Sequence, residues 1–293
     1  MNIREFSSDL WRKQTPLMLT GFGFIVLFLI LAVLSLFDSQ QILGINRWIK
    51  PMKFAVATVI FLWTVAVFLY FLRGYEKSSR IISWGVIAMM VGEIILIVMQ
   101  AVRGTTSHFN NKTAFDGAVF SAMGLMILVN TALIIYLTYL YFRADFDLPK
   151  AVVWGMRLGL IVFLLASAQG GYMSAQTGHA VGASDGGAGL PFVNWSTEGG
   201  DLRVAHFVGM HAFQAIPLLA VMLVWIEKRF TAIRATALTI AFSLIYFGMF
   251  SVAFVQALRG KPLLGKQIIV TEKSVNTQEN KPYTELREKN EKC

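Results

Sequence analysis

Cysteine is nearly missing from this chain. The single one among 293 residues is Cys293, the last. That excludes an internal disulfide framework, a cysteine-ligated iron–sulfur cluster and covalent c-type haem attachment. Histidine is also scarce, with only His108, His179, His206 and His211. Charged side chains make up just 15% of the residues. The chain has no phosphate loop, no Gly-x-Ser-x-Gly elbow and no His-Glu-x-x-His helix, so the common nucleotide, serine-hydrolase and zinc-protease signatures are absent. Short alternating apolar segments are missing too, which excludes a membrane barrel.

Long apolar runs are what the chain has instead: 56% of it is hydrophobic. The runs last about twenty residues, the length that crosses a hydrocarbon layer about 30 Å thick. Seven spans are expected, at about 16–36, 54–72, 81–102, 117–142, 151–173, 204–226 and 236–258. The fold class is therefore all-α, a polytopic transmembrane helix bundle. The first apolar block is longer than a signal-peptide core and reads as an uncleaved span. The bundle covers residues 1–260, with a Gly-rich outer loop at 174–203, and a polar tail follows over 261–293.

A net charge of +9 would suit nucleic acid. Most of the basic residues lie between spans, however, where topology accounts for them, and no nucleic-acid partner is expected. With the N-terminus in the cytoplasm, eleven Lys/Arg fall on the inner side (Arg4, Arg12, Lys13, Arg73, Lys77, Arg80, Arg143, Lys150, Lys228, Arg229 and Arg234). Six fall outside: Arg47, Lys50, Lys53, Arg103, Lys112 and Arg203. The positive-inside bias predicts N-in and, with seven spans, C-out. Against it stand the seven Lys/Arg of the tail, although long tails obey the rule poorly. The expected location is the cell inner membrane, multi-pass, with the lipid bilayer as the constant partner.

Polar side chains inside spans are costly and each needs a reason. Glu93 lies ten residues before Arg103, so about 15 Å deeper. Glu93 and Gln100 are seven apart and share a face, and Arg103 follows one turn later. In 201–218, DLRVAHFVGMHAFQAIPL, His206 and His211 are five apart, about 140° around a helix, and cannot chelate one ion as an i, i+4 pair does. His211 and Gln214 do share a face. His211 is therefore expected to point inward, near Glu93, with His206 at the surface. Pro217 leaves the carbonyl of Phe213 without its helical donor. Glu93 and His211 are the candidate catalytic groups. His206, Gln100, Gln214, Arg103, Arg203 and Arg259 are candidates for holding a ligand or cofactor.

All four histidines, His108, His179, His206 and His211, fall on the outer side, as a metal centre would require. A haem held by two facing helices is disfavoured, because both span histidines share one helix. One axial ligand remains open, with His108 as a second from its loop. The cations Arg47, Lys50, Lys53, Arg103, Arg203 and Arg259 can instead surround an anionic small molecule or a lipid headgroup. Loop 174–203 holds seven glycines together with Phe192, Trp195 and three acids, the composition of a folded lid. The endings QAVRG (100–104) and QALRG (256–260) echo one another.

In order, KPMKFA, RGTTSHFN, DGGAGLPFVNW and GGDLRVAHFVGMH resemble a family of bacterial multi-span inner-membrane proteins, across most of 44–260. That resemblance implies the fold and supplies no catalytic assignment. A Gly-rich loop before a His-bearing helix is also similar to haem A synthase, but the Glu-x-x-x-His-Arg pattern of that family is missing. Three functions stay open: a metal- or haem-dependent redox or hydrolytic site, a transporter or binding protein for an anionic or lipid ligand, and an accessory or sensory protein without catalysis.

Overall fold

The computed structural model describes residues 3–186, 189–190, 193–230 and 232–265. Among these, seven helices are long and apolar enough to cross a membrane. They are α2 (Thr15–Phe37), α3 (Ile49–Phe71), α4 (Glu76–Val102), α5 (Ala114–Arg143), α6 (Lys150–Ala175), α7 (Leu202–Glu227) and α8 (Ala235–Leu258). A shorter helix, α1 (Ile3–Lys13), precedes them. The seven expected spans are present, and each helix extends beyond the apolar block that announced it. Helix α3 starts five residues early, so its opening takes in Lys50, Pro51 and Lys53. Proline is tolerated there because the first turn has no intrahelical use for its missing N–H. The two lysines thus ride on a helix and do not belong to a loop.

Seven spans put the connections 38–48, 103–113, 176–201 and 259–265 on one face, here the lid face. Helix α1 and the connections 72–75, 144–149 and 228–234 lie on the other. Helix α1 went unforeseen because its apolar positions are few. Leu10 is buried, Phe6 packs edge-on to Tyr70 at 5.2 Å, and the Tyr70 hydroxyl donates to Asp9 at 2.9 Å. An amphipathic helix thus lies against the end of α3.

Two contrasting surfaces hold the bundle together. Helices α6 and α7 meet through glycine, along Gly155-Met-Arg-Leu-Gly159. A Cβ added to Gly159 would stand 2.9 Å from the Ala212 carbonyl oxygen, and one on Gly155 would stand 2.8 Å from the Ala220 Cβ. Close backbone approach replaces the missing hydrophobic drive between helices in lipid. Elsewhere the seam is aromatic: Phe213 of α7 lies 4.5 Å from Phe68, 5.0 Å from Phe163 and 6.2 Å from Phe61, ring to ring. At the opposite face, Arg157 ties α6 to α5. Its Nε donates to the Tyr141 carbonyl at 2.8 Å, and its guanidinium covers the Phe142 and Trp154 rings.

The QAVRG and QALRG endings are helix stops. Gly104 and Gly260 take φ of 71° and 69°. Thr105 N donates to the Gln100 carbonyl and Lys261 N to that of Gln256, at 3.1 and 3.2 Å. These bonds, with Gly104 N to Ala101 O and Gly260 N to Ala257 O, form two Schellman motifs. The repeat therefore encodes backbone termination, and its side chains diverge: Gln100 reaches Asp116, while Gln256 reaches the Pro262 carbonyl.

Candidate functional site

The lid face is built from three connections that fold onto one another. In 38–48, strands β1 (Gln41–Ile42) and β2 (Ile45–Asn46) form a small hairpin. Asp38 anchors it, pairing with Arg47 at 2.5 Å and accepting from the Trp48 indole at 2.9 Å. The Arg47 guanidinium also donates to the Val102 carbonyl at the end of α4.

Residues 103–113 run inward. Ser107 and Asn110 are buried, and Asn110 donates to Thr105 and to the Thr106 carbonyl. The ring of His108 comes to 5.3 Å from Phe54 and 6.4 Å from Phe120. Its Nε2 lies 3.8 Å from Glu93 Oε1, and its Nδ1 shares a 3.1 Å hydrogen bond with Ser107. Burial, reinforced by the charge of Lys50, holds the imidazole well below the ordinary histidine value, so it is neutral at pH 7. At 3.8 Å this is a contact, longer than a hydrogen bond. Asp116 secures the base of the loop. It accepts from Gln100 Nε2 at 2.9 Å, Arg103 Nη1 at 2.6 Å and the Thr113 hydroxyl at 2.7 Å, while Thr113 caps α5 by accepting from Asp116 N.

The third connection is a folded lid. Strands β3 (Ala180–Val181) and β4 (Gly200–Asp201) pair, Gly189 bridges to Ser196, and Leu202 N donates to the His179 carbonyl. Asp201, 1% exposed, organises this structure. It caps α7 by accepting from Arg203 N, accepts from Ser196 N at 2.8 Å and grips the Arg203 guanidinium at 2.6 Å. Burial alone would raise the Asp201 carboxyl, but the bonds and charge of Arg203 carry it below the ordinary aspartate value. His179 lies 3.2 Å from Asp185 and 3.8 Å from Asp201. Burial and Arg203 together outweigh both acids, and its pKa falls. Trp195 docks on Phe207 of α7 at 5.6 Å. Pro191 and Phe192, also expected to dock, lie outside the described residues, as does the tail beyond 265.

Beneath the lid three cations converge. Lys50 of α3 is in electrostatic contact with Arg203 of α7 and Glu93 of α4, and Lys53 with Arg203. Glu93 is 3% exposed and its Oε2 has no partner. Asp201 offsets Arg203. Lys50 and Lys53 then leave an excess of one positive charge with Glu93 ionised and two with it protonated.

Comparison of the chain with protein-family models, with curated proteins and with solved structures finds no match.

Several expectations change place. Glu93 and Gln100 do point into the protein, where their side-chain neighbours come from α3, α5 and the 103–113 loop: Lys50 and His108 for Glu93, Asp116 for Gln100. His206, expected at the surface, turns into α6: its Nδ1 lies 3.0 Å from the Ala166 carbonyl and 3.2 Å from Gln169 Oε1. A carbonyl only accepts, so Nδ1 carries the proton. Gly170 makes the room, since its hypothetical Cβ would stand 2.7 Å from the imidazole. The 140° separation then sends His211 elsewhere. It remains partly exposed, 4.4 Å from the exposed Phe207 ring. Gln214 donates to the Thr64 hydroxyl on α3 at 2.9 Å. Arg47 and Arg103 are committed to Asp38 and Asp116, and Arg259 sits exposed at the end of α8. Among the described residues no three His, Cys, Asp or Glu side chains form a group able to hold a metal. His206, His211, His108 and His179 each answer to a different neighbour.

The six cations are alike in sequence; folding separates them by deciding which carboxylate each one meets.

Proposed function

We propose that this multi-pass membrane protein binds an anionic ligand beneath its lid, at Lys50, Lys53 and Arg203, with Glu93 as a proton-carrying counter-charge. The observation behind this reading is that Lys50, Lys53 and Arg203 gather beside a buried carboxyl, Glu93, which faces Lys50 and has an unpartnered oxygen. Like charges held together cost energy until an anion arrives, and a low-dielectric surrounding sharpens the effect. The positive-inside count supports an inner-membrane orientation with the N-terminus in the cytoplasm, which opens the lid outward. Binding is the step that transport, enzymatic turnover and sensing at such a site share.

The test is calorimetric titration of the purified protein with inorganic phosphate. Lys50→Gln should weaken binding about tenfold, the loss of one charge-assisted contact. Glu93→Gln should fold and express normally, and should bind phosphate several-fold more tightly at neutral pH, because the competing negative charge is gone. No phosphate binding, or weaker binding in Glu93→Gln, sinks the proposal.

A further inference from the structure

The site continues into the membrane. Below Lys53, residues Ala57, Ile60 and Thr64 follow at helical spacing, so one face of α3 runs from a cation into apolar surface. Helix α7 repeats the pattern with Arg203, Phe207, His211 and Gln214. The helices run in the same direction and are in register. Lys53 and Arg203 interact at the top, and Thr64 and Gln214, each eleven residues further on, are hydrogen-bonded at the bottom. The space between is about 16 Å long. Its walls face lipid, with Phe207 49% and Ile60 38% exposed. On the other flank of α3 an apolar groove of about 100 Å³ is lined by Phe24, Ile25, Phe28, Val56, Val59 and Ile60. Val56 and Ile60 stand one and two turns below Lys53.

We propose that the ligand is an anionic amphiphile, its charged head at Lys50, Lys53 and Arg203 and its hydrocarbon chain along the exposed face of α3, between α2 and α7. This rests on the anion-binding reading above and names the ligand class. Charge complementarity selects the occupant. A neutral lipid gains nothing from two lysines at the mouth of the groove, whereas a phosphate or carboxylate head neutralises them while its chain covers Ile60 and Val56. Trp195, packed edge-on against Phe207, brings the lid to the junction of head and chain.

The experiment compares palmitoyl lysophosphatidic acid, palmitoyl lysophosphatidylcholine and inorganic phosphate on the full-length protein in detergent, by native mass spectrometry and calorimetry. The acid should bind about tenfold more tightly than the choline lipid, and Lys53→Gln should erase that preference. Ile60→Trp fills the groove from a lipid-exposed position. It should weaken the lysophosphatidic acid about tenfold and leave phosphate affinity unchanged. Val56→Phe is the second groove variant, should Ile60→Trp lower the unfolding temperature. If both groove variants bind the lysophosphatidic acid like the parent, or if the choline lipid binds equally well, the amphiphile inference falls and the anion site stands. If neither phosphate nor the lysophosphatidic acid binds, both fall.

Discussion

Asp201→Ala should unlatch the lid without unfolding the bundle. The carboxylate caps α7, and losing such a cap costs about 1 kcal/mol. It also accepts from Ser196 N, and a hydrogen bond to a charged group contributes about 1.5–3 kcal/mol. The third loss is the pairing with Arg203, whose side chain is 30% exposed and so recovers much of its solvation in water. A total of about 3–5 kcal/mol matches the cost of breaking a largely buried pair. At 1.4 kcal/mol per tenfold, the lid should open roughly 10² to several times 10³ more often. Hydrogen exchange in nanodiscs reads this directly. Amides of 176–186 and 193–200 should exchange faster by that factor, while α4 and α5 keep their protection. Asp201→Asn should lie between the two, since an amide oxygen still accepts but carries no charge. Unchanged lid protection in Asp201→Ala would refute the assignment of Asp201 as the latch.

Two more predictions follow from the same geometry. Burial depresses the pKa of His108 and of His179, so the unfolded chain binds protons near the ordinary histidine value while the folded protein does not. Below about pH 6.5 these two histidines therefore bind more protons in the unfolded chain, and their share of the stability falls as pH falls, by up to about 1.4 kcal/mol per pH unit for each. Thermal unfolding between pH 7.5 and 5 should show this slope, and His108→Gln should flatten it; an equal slope in the variant would show that the ring is not held neutral. Gly159→Val, whose Cβ would meet the Ala212 carbonyl at 2.9 Å, should destabilise by about 1–3 kcal/mol in thermal unfolding. Gly171→Ala, with open space around it, should be neutral or stabilise by about 0.5–1 kcal/mol, and equal effects at the two positions would contradict glycine-mediated packing of α6 on α7.

Hydrophobic run length alone was enough to read the number and placement of the spans, because a lipid environment permits few other uses for twenty consecutive apolar residues. The inward direction of Glu93 and Gln100 was legible for the same reason, since ionisable and amide groups avoid hydrocarbon. The folded lid could be read from aromatic and acidic residues set among its glycines. Partnership could not. Helical spacing fixes which residues of one helix share a face, and it correctly separated His206 from His211. It does not say which neighbour each face meets. Gly170 and the Gly155–Gly159 pair brought α6 against α7 and drew His206 inward, where a surface position had been expected. Likewise the six cations are equivalent in sequence. Asp38 and Asp116 remove Arg47 and Arg103 from the candidate site only because the chain returns them to those positions. That choice, and with it the site of Lys50, Lys53, Arg203 and Glu93, belongs to helix packing, where charge neutralisation depends on distances across the bundle that no single helix encodes.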